Sequence, residues 1–536
     1  MKWPIGQIFI RSFIGFKAVK TLQYTDAKDK EQLIKRVSEN RNSKPITIFY
    51  VGVWSYIGGI ETMTTALANA LAHKYKIILI ARHLDESAYE KKIEKTNLTI
   101  DEEIDFIEVP CLNAHEAIFD IIKFVNPDVF IGFRNLATEE HPLYPKLRQE
   151  NIKSIACFID YYFFLHNLSY PPEYIFSYNK AISQADAIVV INEFNSKMYS
   201  SMSKKIIKIP CPNTFPKQKD ISFCNNRKNL LVVGRLYDAR KRLDLLLKTF
   251  KKVLQKEKDA KLLLVGQCDL NLKIQDDSAE TIGELIKQLD FEDSQITFFG
   301  KVDDLHDVYN KGDIFLMTSD NEGFGLVLAE AASFGLPLIS FRISGPEDII
   351  IDGENGFLVE KGNLDEMAEK IVYLLRNDEE REKMAKKSQS MNERFTIEKV
   401  SKEWDNLISA VIKGDAEKYL KDNVTEEILS DHFGRLVVNE YEKFTERIMQ
   451  QKNQEIHSLQ ESSQSKIHSV QESCQNQIQN YGNELANYKK AIEDYEQEIE
   501  QIRKSWSFRI GRTITKTISA PIDIFKNKAK SKETKG

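Results

Sequence analysis

Cysteine is scarce in this chain, and its spacing pairs nothing. Six cysteines are scattered over 536 residues, at positions 111, 157, 211, 224, 268 and 474, with no CxxC among them, so neither a disulfide framework nor a zinc cluster is expected. A reducing cytoplasm suits that pattern. No apolar run approaches the roughly 18 uninterrupted residues of a membrane-spanning helix. Arg11 cuts the apolar stretch at the start, and no small-residue cleavage site follows it, which makes a poor signal peptide. Charge of one sign is also missing overall. A net charge of -5 is close to neutral for this size and argues against a nucleic-acid binder as a whole, although the sign is unevenly spread along the chain.

What the chain does have is regular alternation. From Pro45 onward, apolar strand-like runs alternate with amphipathic helical runs, the pattern of a parallel sheet covered on both faces. Strands are expected at 46–51, 77–81, 129–132, 154–159 and 187–191, with a turn at Gly58-Gly59 and a helix over about 62–73. After the proline-rich loop 210–216 a second series begins, with strands expected at Leu230, Leu262, Ile296, Ile314 and Leu338. The expected fold class is therefore α/β, two doubly wound Rossmann-like domains followed by a long helical coiled coil. The boundaries fall as an N-terminal extension 1–44, a first domain 45–216, a second domain 217–395, a helical crossover and linker 396–439, a coil 440–502 and a basic amphipathic tail 503–536. The stretch 397–412, which contains Trp404, reads as a helix.

The most informative stretch is Asn321-Glu-Gly-Phe-Gly-Leu-Val-Leu-Ala-Glu330, which sets two carboxylates, with seven residues between them, around a glycine turn. A buried strand at 313–318 precedes it and a helix over 326–333 follows. The first amides of a helix have no intrahelical partner, and its dipole favours an anion at that end. Gly323 and Gly325 let backbone approach a phosphate without a Cβ in the way. Glu330 lies about two turns along the helix from the loop carrying Glu322, so both carboxylates stand near a ligand bound at the glycine turn.

This stretch resembles the retaining nucleotide-sugar glycosyltransferases of the GT-B fold, of the group 1 or family 4 type. The likeness covers roughly residues 45–410. Leu231-Val-Val-Gly234-Arg235-Leu236, Lys241-Arg-Leu-Asp244, Leu262-Leu-Leu-Val-Gly266, Ile296-Thr-Phe-Phe-Gly300-Lys301-Val302, Gly335-Leu-Pro337 and Gly345-Pro-Glu347 follow in the family's order. One departure is visible: Arg235 and Lys241 stand one residue further apart than usual, with Arg240 adjacent. Either Arg240 or Lys241 fills the place of the family's lysine, and Lys241 is preferred because residues 243–245 fall into register behind it.

The resemblance implies transfer of a hexose from a nucleotide-diphosphate sugar to an acceptor hydroxyl, with retention. It implies no metal and no cofactor beyond that sugar nucleotide, and no Asp-x-Asp signature occurs in the chain. Catalytic roles fall to Glu322, near the transferred sugar, and to Arg235 and Lys241, cations for the departing phosphate. Donor-binding roles fall to Gly58, Gly59, Gly234, Val302, Gly323, Phe324, Gly325, Leu326 and Glu330, the last on ribose hydroxyls. Asp160 is the candidate acceptor contact, although an isolated Asp after a strand is more often a cap. No Ser-His-Asp or Cys-His arrangement is evident, and His141 and His166 read as structural. The implied acceptor is a glycan or lipid-linked intermediate of bacterial surface polysaccharide, teichoic-acid-like or glycolipid biosynthesis. Other readings stay open: a nucleotide-sugar epimerase, a soluble glucan synthase, or a non-catalytic coiled-coil scaffold.

Beyond residue 440 the composition turns to Gln, Glu, Ser and Lys, without proline until Pro521. Ile456, Ile467 and Ile478 recur every eleven residues, as do Leu459, Val470 and Tyr481. From Ile478 the spacing tightens to alternating threes and fours through Tyr481, Leu485, Tyr488, Ile492, Tyr495, Ile499 and Ile502, a heptad seam. A homo-oligomer through this coil is expected, the alternative being a partly disordered tail. Trp506, Ile510, Ile514 and Ile518 then stand four apart beside Arg509, Arg512 and Lys516, ahead of a lysine-rich end. That pattern leads to an expected peripheral attachment at the anionic inner face of the cell membrane and to no nucleic-acid partner. The alternative is a helix docked on the core.

Overall fold

In the computed structural model the apolar runs pair into two sheets. The described residues are 21–23, 44–53, 59–83, 99–110, 114–133, 143–159, 181–200, 203–215, 227–274, 280–302, 304–423 and 431–504. The first sheet comprises β1 (Thr21–Gln23), β2 (Ile46–Val53), β3 (Lys76–His83), β4 (Asp105–Pro110), β5 (Val129–Gly132), β6 (Ser154–Phe158), β7 (Ala187–Val190) and β8 (Ile206–Lys208). The second comprises β9 (Asn229–Val233), β10 (Lys261–Val265), β11 (Ile296–Gly300), β12 (Ile314–Met317), β13 (Leu338–Phe341) and β14 (Gly356–Val359). Their orders are β1-β4-β3-β2-β5-β6-β7-β8 and β11-β10-β9-β12-β13-β14. Every ladder among the described residues is parallel.

Strands covered on both faces favour apolar side chains at nearly every position, which is why the runs are almost unbroken: β5, β6, β7, β12 and β13 are buried throughout, with only Ser154 and Ser340 polar among them. In both sheets the strand order reverses, between β2 and β5 and between β9 and β12. Crevices at the C-terminal ends of strands at such reversal points are where open α/β sheets bind ligands.

Four strands carry no clear run of their own. β1 and β8 are three residues each, and β1 lies upstream of the expected start at 45, pairing with β4 at the sheet edge. β4 contains Asp105 and Glu108, both buried, with Asp105 held by Lys76 at 3.0 Å, so charge disguises a core strand. β14 is a four-residue strand on the opposite edge of the second sheet.

The helix Ile397–Lys413 returns from the second domain to the first. Trp404 is buried with its ring 5.2 Å from that of Phe133, beyond β5. Tyr75 donates to Asp405 at 2.7 Å, and Lys74 pairs with the same carboxylate at 2.5 Å. A second set of ties runs through Asn213, whose side-chain amide donates to the Ala329 carbonyl at 2.9 Å, and through Asp348, which accepts from the Glu193 amide at 3.0 Å. These contacts hold the two domains against each other at the ends of their strands.

The helix Asp431–Lys504 runs for 74 residues, starting upstream of the coil boundary expected at 440. Residues 1–444 and 445–536 form separate compact units. No helix among the described residues is long and apolar enough to cross a membrane. The basic segment 505–536, and with it the expected membrane contact, lies outside the described residues, as do Gly58, Asp160, His141 and His166.

Candidate active site

The site is built from the loops that leave β9 and β12. Past β9, the Gly234 amide still donates to Val265 at 3.0 Å, so the chain hugs β10 for one more residue. Its neighbour Gly266 sits at φ +123°, where a Cβ would lie 1.8 Å from the Gly234 carbonyl oxygen, and only glycine passes there. Asp238 then caps a short turn, Ala239–Lys241. That turn separates the two candidate cations. The Arg240 guanidinium folds back onto Asp238 at 2.6 Å, whereas Lys241 Nζ reaches Glu322 Oε1 at 2.5 Å. Of the two alternatives left by the sequence, Lys241 is the one that faces the Glu322 loop.

Thr318, just past β12, fixes this arrangement by donating to the carbonyls of Lys241 at 3.1 Å and Arg242 at 3.2 Å. Arg242, at φ 49°, is tied to Asp244 at 2.9 Å and to Asp320 at 3.4 Å. Arg235 is held more loosely. Its side chain is 49% exposed and 3.7 Å from Asp238, a pairing that contributes little in water and leaves the guanidinium available to an anion. Burial works against the Asp238 charge, but Arg240, with Arg235 behind it, keeps the carboxyl below the usual carboxylate range.

Glu322 is braced from both sides. Its Oε1 also accepts from Ser319 Oγ at 2.8 Å, and its carbonyl accepts from Ser344 Oγ at 3.2 Å. Gly325, at φ +90°, caps the helix Leu326–Ser333 without any side-chain hydrogen bond, so the first amides of that helix are not consumed by a cap. The Phe324 ring is buried, 5.2 Å from that of Phe395, so it faces the core and the backbone of Phe324 faces the loop.

The first domain meets this loop at two glycines. A Cβ on Gly323 would lie 2.4 Å from the carbonyl oxygen of Ile159, just past β6, and Asn192 donates its side-chain amide to the Gly323 carbonyl. A Cβ on Gly59, at the start of the helix Gly59–Leu71, would lie 2.6 Å from Leu326 Cδ1. The sequence assigns Gly323 to ligand approach; the structure shows that close passage of the other domain already requires it. Asn192 reads in the sequence only as the kind of residue that caps a following helix, and it does accept from the Asn195 amide at 2.6 Å.

Glu330 is engaged elsewhere. Tyr309, which the sequence does not single out, donates to Glu330 Oε2 at 2.6 Å. The Tyr309 ring stacks on Phe334 at 5.0 Å and meets Phe215 edge-on at 5.8 Å. Burial pushes the Glu330 carboxyl up, opposed by the Tyr309 hydrogen bond, and burial pushes the Tyr309 hydroxyl well up too. Val302, past β11, is partly buried against the same core.

Behind the loop, a Cβ on Gly345 would lie 2.9 Å from the Phe324 carbonyl oxygen, and Glu347 follows in the helix Pro346–Ile349. Burial pushes the Glu347 carboxyl up to about 7 against the pull of Arg342 and Lys197, with Asp348 and Glu360 adding to the rise. Between about 4.5 and about 7 the unfolded chain is thus ionised at Glu347 while the folded chain resists ionisation, so this residue costs stability as pH rises through that window. Glu347→Gln should therefore melt higher than the parent above pH 7, with an advantage that shrinks to nothing near pH 4. Melting curves across that range test this, and a pH-independent difference would refute it.

A surface hollow of about 420 Å³ lined by Phe357, Lys370, Tyr373 and Met384 shares no residue with this site. Among the described residues no group of three or more His, Cys, Asp or Glu is placed to hold a metal ion.

Residues 215–391, which span β9 to β14 and carry Arg235, Lys241, Glu322 and Glu330, match the family Glycosyl transferases group 1. An uncharacterized glycosyltransferase of Haemophilus influenzae is 33% identical over 231 residues, covering 42% of this chain and 62% of the relative. A poly(ribitol-phosphate) alpha-N-acetylglucosaminyltransferase of Staphylococcus aureus is 24% identical over 231 residues, 43% of each chain. The chain thus spans less than two thirds of either relative's length. Among solved structures, Anabaena HepE in complex with UDP-glucose superposes with a TM-score of 0.54 at 16% identity, over 68% of this chain and 100% of that one, which shows a shared GT-B fold.

Proposed function

We propose that this chain, which carries a Glycosyl transferases group 1 domain on a GT-B fold, is a retaining, metal-independent hexosyltransferase. Its donor is a nucleotide-diphosphate sugar, and its acceptor is a hydroxyl of a surface glycan, teichoic-acid-like polymer or glycolipid intermediate. The observation that carries the reading is the Lys241–Glu322 pair at the reversal point of the second sheet, set against the N-terminus of the helix Leu326–Ser333. The acceptor class is supported by the likeness to the Staphylococcus aureus enzyme, and the donor class by the GT-B likeness to a protein solved with UDP-glucose.

In this reading the diphosphate lies against the helix amides and between Arg235 and Lys241. As the bond to the sugar breaks, negative charge grows on the leaving phosphate oxygen. Lys241 carries three N–H donors, so it can keep Glu322 and still meet that oxygen. Fixed cations in a partly buried cleft stabilise developing charge without reorganising. Glu322 stays beside the transferred sugar. Glu330, with Oε2 held by Tyr309, presents its other oxygen to ribose hydroxyls. The departing phosphate oxygen takes the acceptor proton on the same face, which retains the anomeric configuration.

The test is release of nucleoside diphosphate from a panel of nucleotide sugars, with and without excess chelator. Turnover of at least one donor, unchanged by chelator, is the expected result. No turnover of any donor sinks the enzymatic reading, and activity lost to chelator and restored by manganese sinks its metal independence.

A further inference from the structure

The helix Asp431–Lys504 is long, and among the described residues nothing covers its apolar track. Ile456, Leu459, Ile467, Val470, Ile478, Tyr481, Tyr488 and Tyr495 are 51–70% exposed. They follow one continuous track, first repeating every eleven residues and then, from Ile478 to Ile502, at alternating threes and fours. A third row belongs to the same track: Ser463, Cys474 and Leu485 also stand eleven apart, and Cys474 falls four residues before Ile478.

The charges beside this track say what covers it. Glu484 and Glu498 each directly precede a track position, Leu485 and Ile499, while Lys489 and Arg503 each directly follow one, Tyr488 and Ile502. In a parallel, in-register pair of identical helices, a residue on the first flank faces the residue five positions later on its partner. Glu484 then meets Lys489, and Glu498 meets Arg503, opposite charges in both cases. An antiparallel pair sets each flank against its own kind and brings glutamate to glutamate. Isoleucine at 478, 492 and 499 fills three of the four positions of the first seam row, where two-stranded coils place β-branched residues, and the second row carries Tyr481, Tyr488 and Tyr495 in place of the isoleucines that shift preference to three or four strands.

We propose that the occupant of this face is a second copy of the chain, bound as a parallel, in-register, two-stranded coiled coil through residues 456–502. Cys474 is exposed in the single chain and lies on the seam, so this register sets the two Cys474 thiols opposite each other. Any antiparallel register around another centre separates them.

Full-length protein is sedimented and then oxidised with diamide, which takes two electrons and two protons from a pair of facing thiols as their disulfide forms. The expected result is twice the 61.9 kDa chain mass in solution and a covalent dimer on a denaturing gel, lost with reductant and absent in Cys474→Ser. A monomer at ten micromolar, a trimer, or a dimer that oxidation does not link through Cys474 would each overturn the proposal. Joint Glu484→Lys and Glu498→Lys changes should raise the dimer dissociation constant about tenfold or more. Adding Lys489→Glu and Arg503→Glu should restore it, and failure to restore would reject the register. Leu485→Asp with Ile492→Asp should leave a monomer that still turns over donor.

Discussion

Lys241→Ala is expected to lower kcat by at least about 100-fold, the loss typical of removing one group that stabilises developing charge, while Arg240→Ala stays within about threefold. The two cations are adjacent in sequence and differ in what they face. Lys241 Nζ lies 2.5 Å from Glu322 Oε1 with its side chain 22% exposed, inside the cleft, whereas Arg240 is 44% exposed and paired 2.6 Å from Asp238. Removing Lys241 also leaves the Glu322 carboxylate, itself only 14% exposed, with Ser319 as a remaining hydrogen-bond donor. That adds electrostatic cost at the position where the sugar is expected. Donor turnover in both variants, alongside thermal melts to exclude unfolding, measures the contrast. Equal losses, or a larger loss at Arg240, would mean that the turn Ala239–Lys241 presents the other cation in the working enzyme.

Gly323→Ala should cost kcat/KM on the order of 100-fold although it adds one methyl group to a loop. That methyl has no room, because backbone, and not a pliable side chain, stands 2.4 Å away at the Ile159 carbonyl. Relief requires the two domains to move apart locally, or the 322–325 loop to retreat, and either displaces Glu322 from Lys241. A misplacement of about 1 Å in a site of this kind is enough for losses of about 100-fold. The same shift pulls Gly323 from Asn192. Thermal melts should change far less than turnover, since the strands on both sides are untouched. An active Gly323→Ala enzyme would show that this contact between domains is not part of the catalytic arrangement.

Local sequence determined much of this molecule. Parallel strands buried on both faces are apolar at nearly every position, so their runs stand out from the helices between them, and two doubly wound sheets are legible from that alternation. The long helix is legible for a related reason: a solvent-bathed helix retains an apolar track only where something must cover it. Glycines around Phe324, and a carboxylate on either side, mark where a chain turns tightly into a helix. The Trp404 stretch reads as an amphipathic helix before any partner is known.

The tertiary structure decided which of these residues meet. Lys241 and Glu322 are 81 residues apart, and their pairing depends on β9 and β12 lying side by side in a sheet whose order reverses between them. The conformation of the turn after Asp238 points Lys241 at Glu322 and folds Arg240 back onto Asp238. Phe324 looks like a ligand residue in the motif, yet its ring belongs to the core because Phe395 arrives there from the far end of the second domain. Tyr309 carries no motif at all and becomes the partner of Glu330 only once their helices pack together. β4 escapes the apolar pattern because Lys76 neutralises Asp105 within the sheet. A motif records what the backbone and a ligand require at one place in the chain, whereas these contacts are set by distances between segments far apart in sequence, which no local pattern encodes.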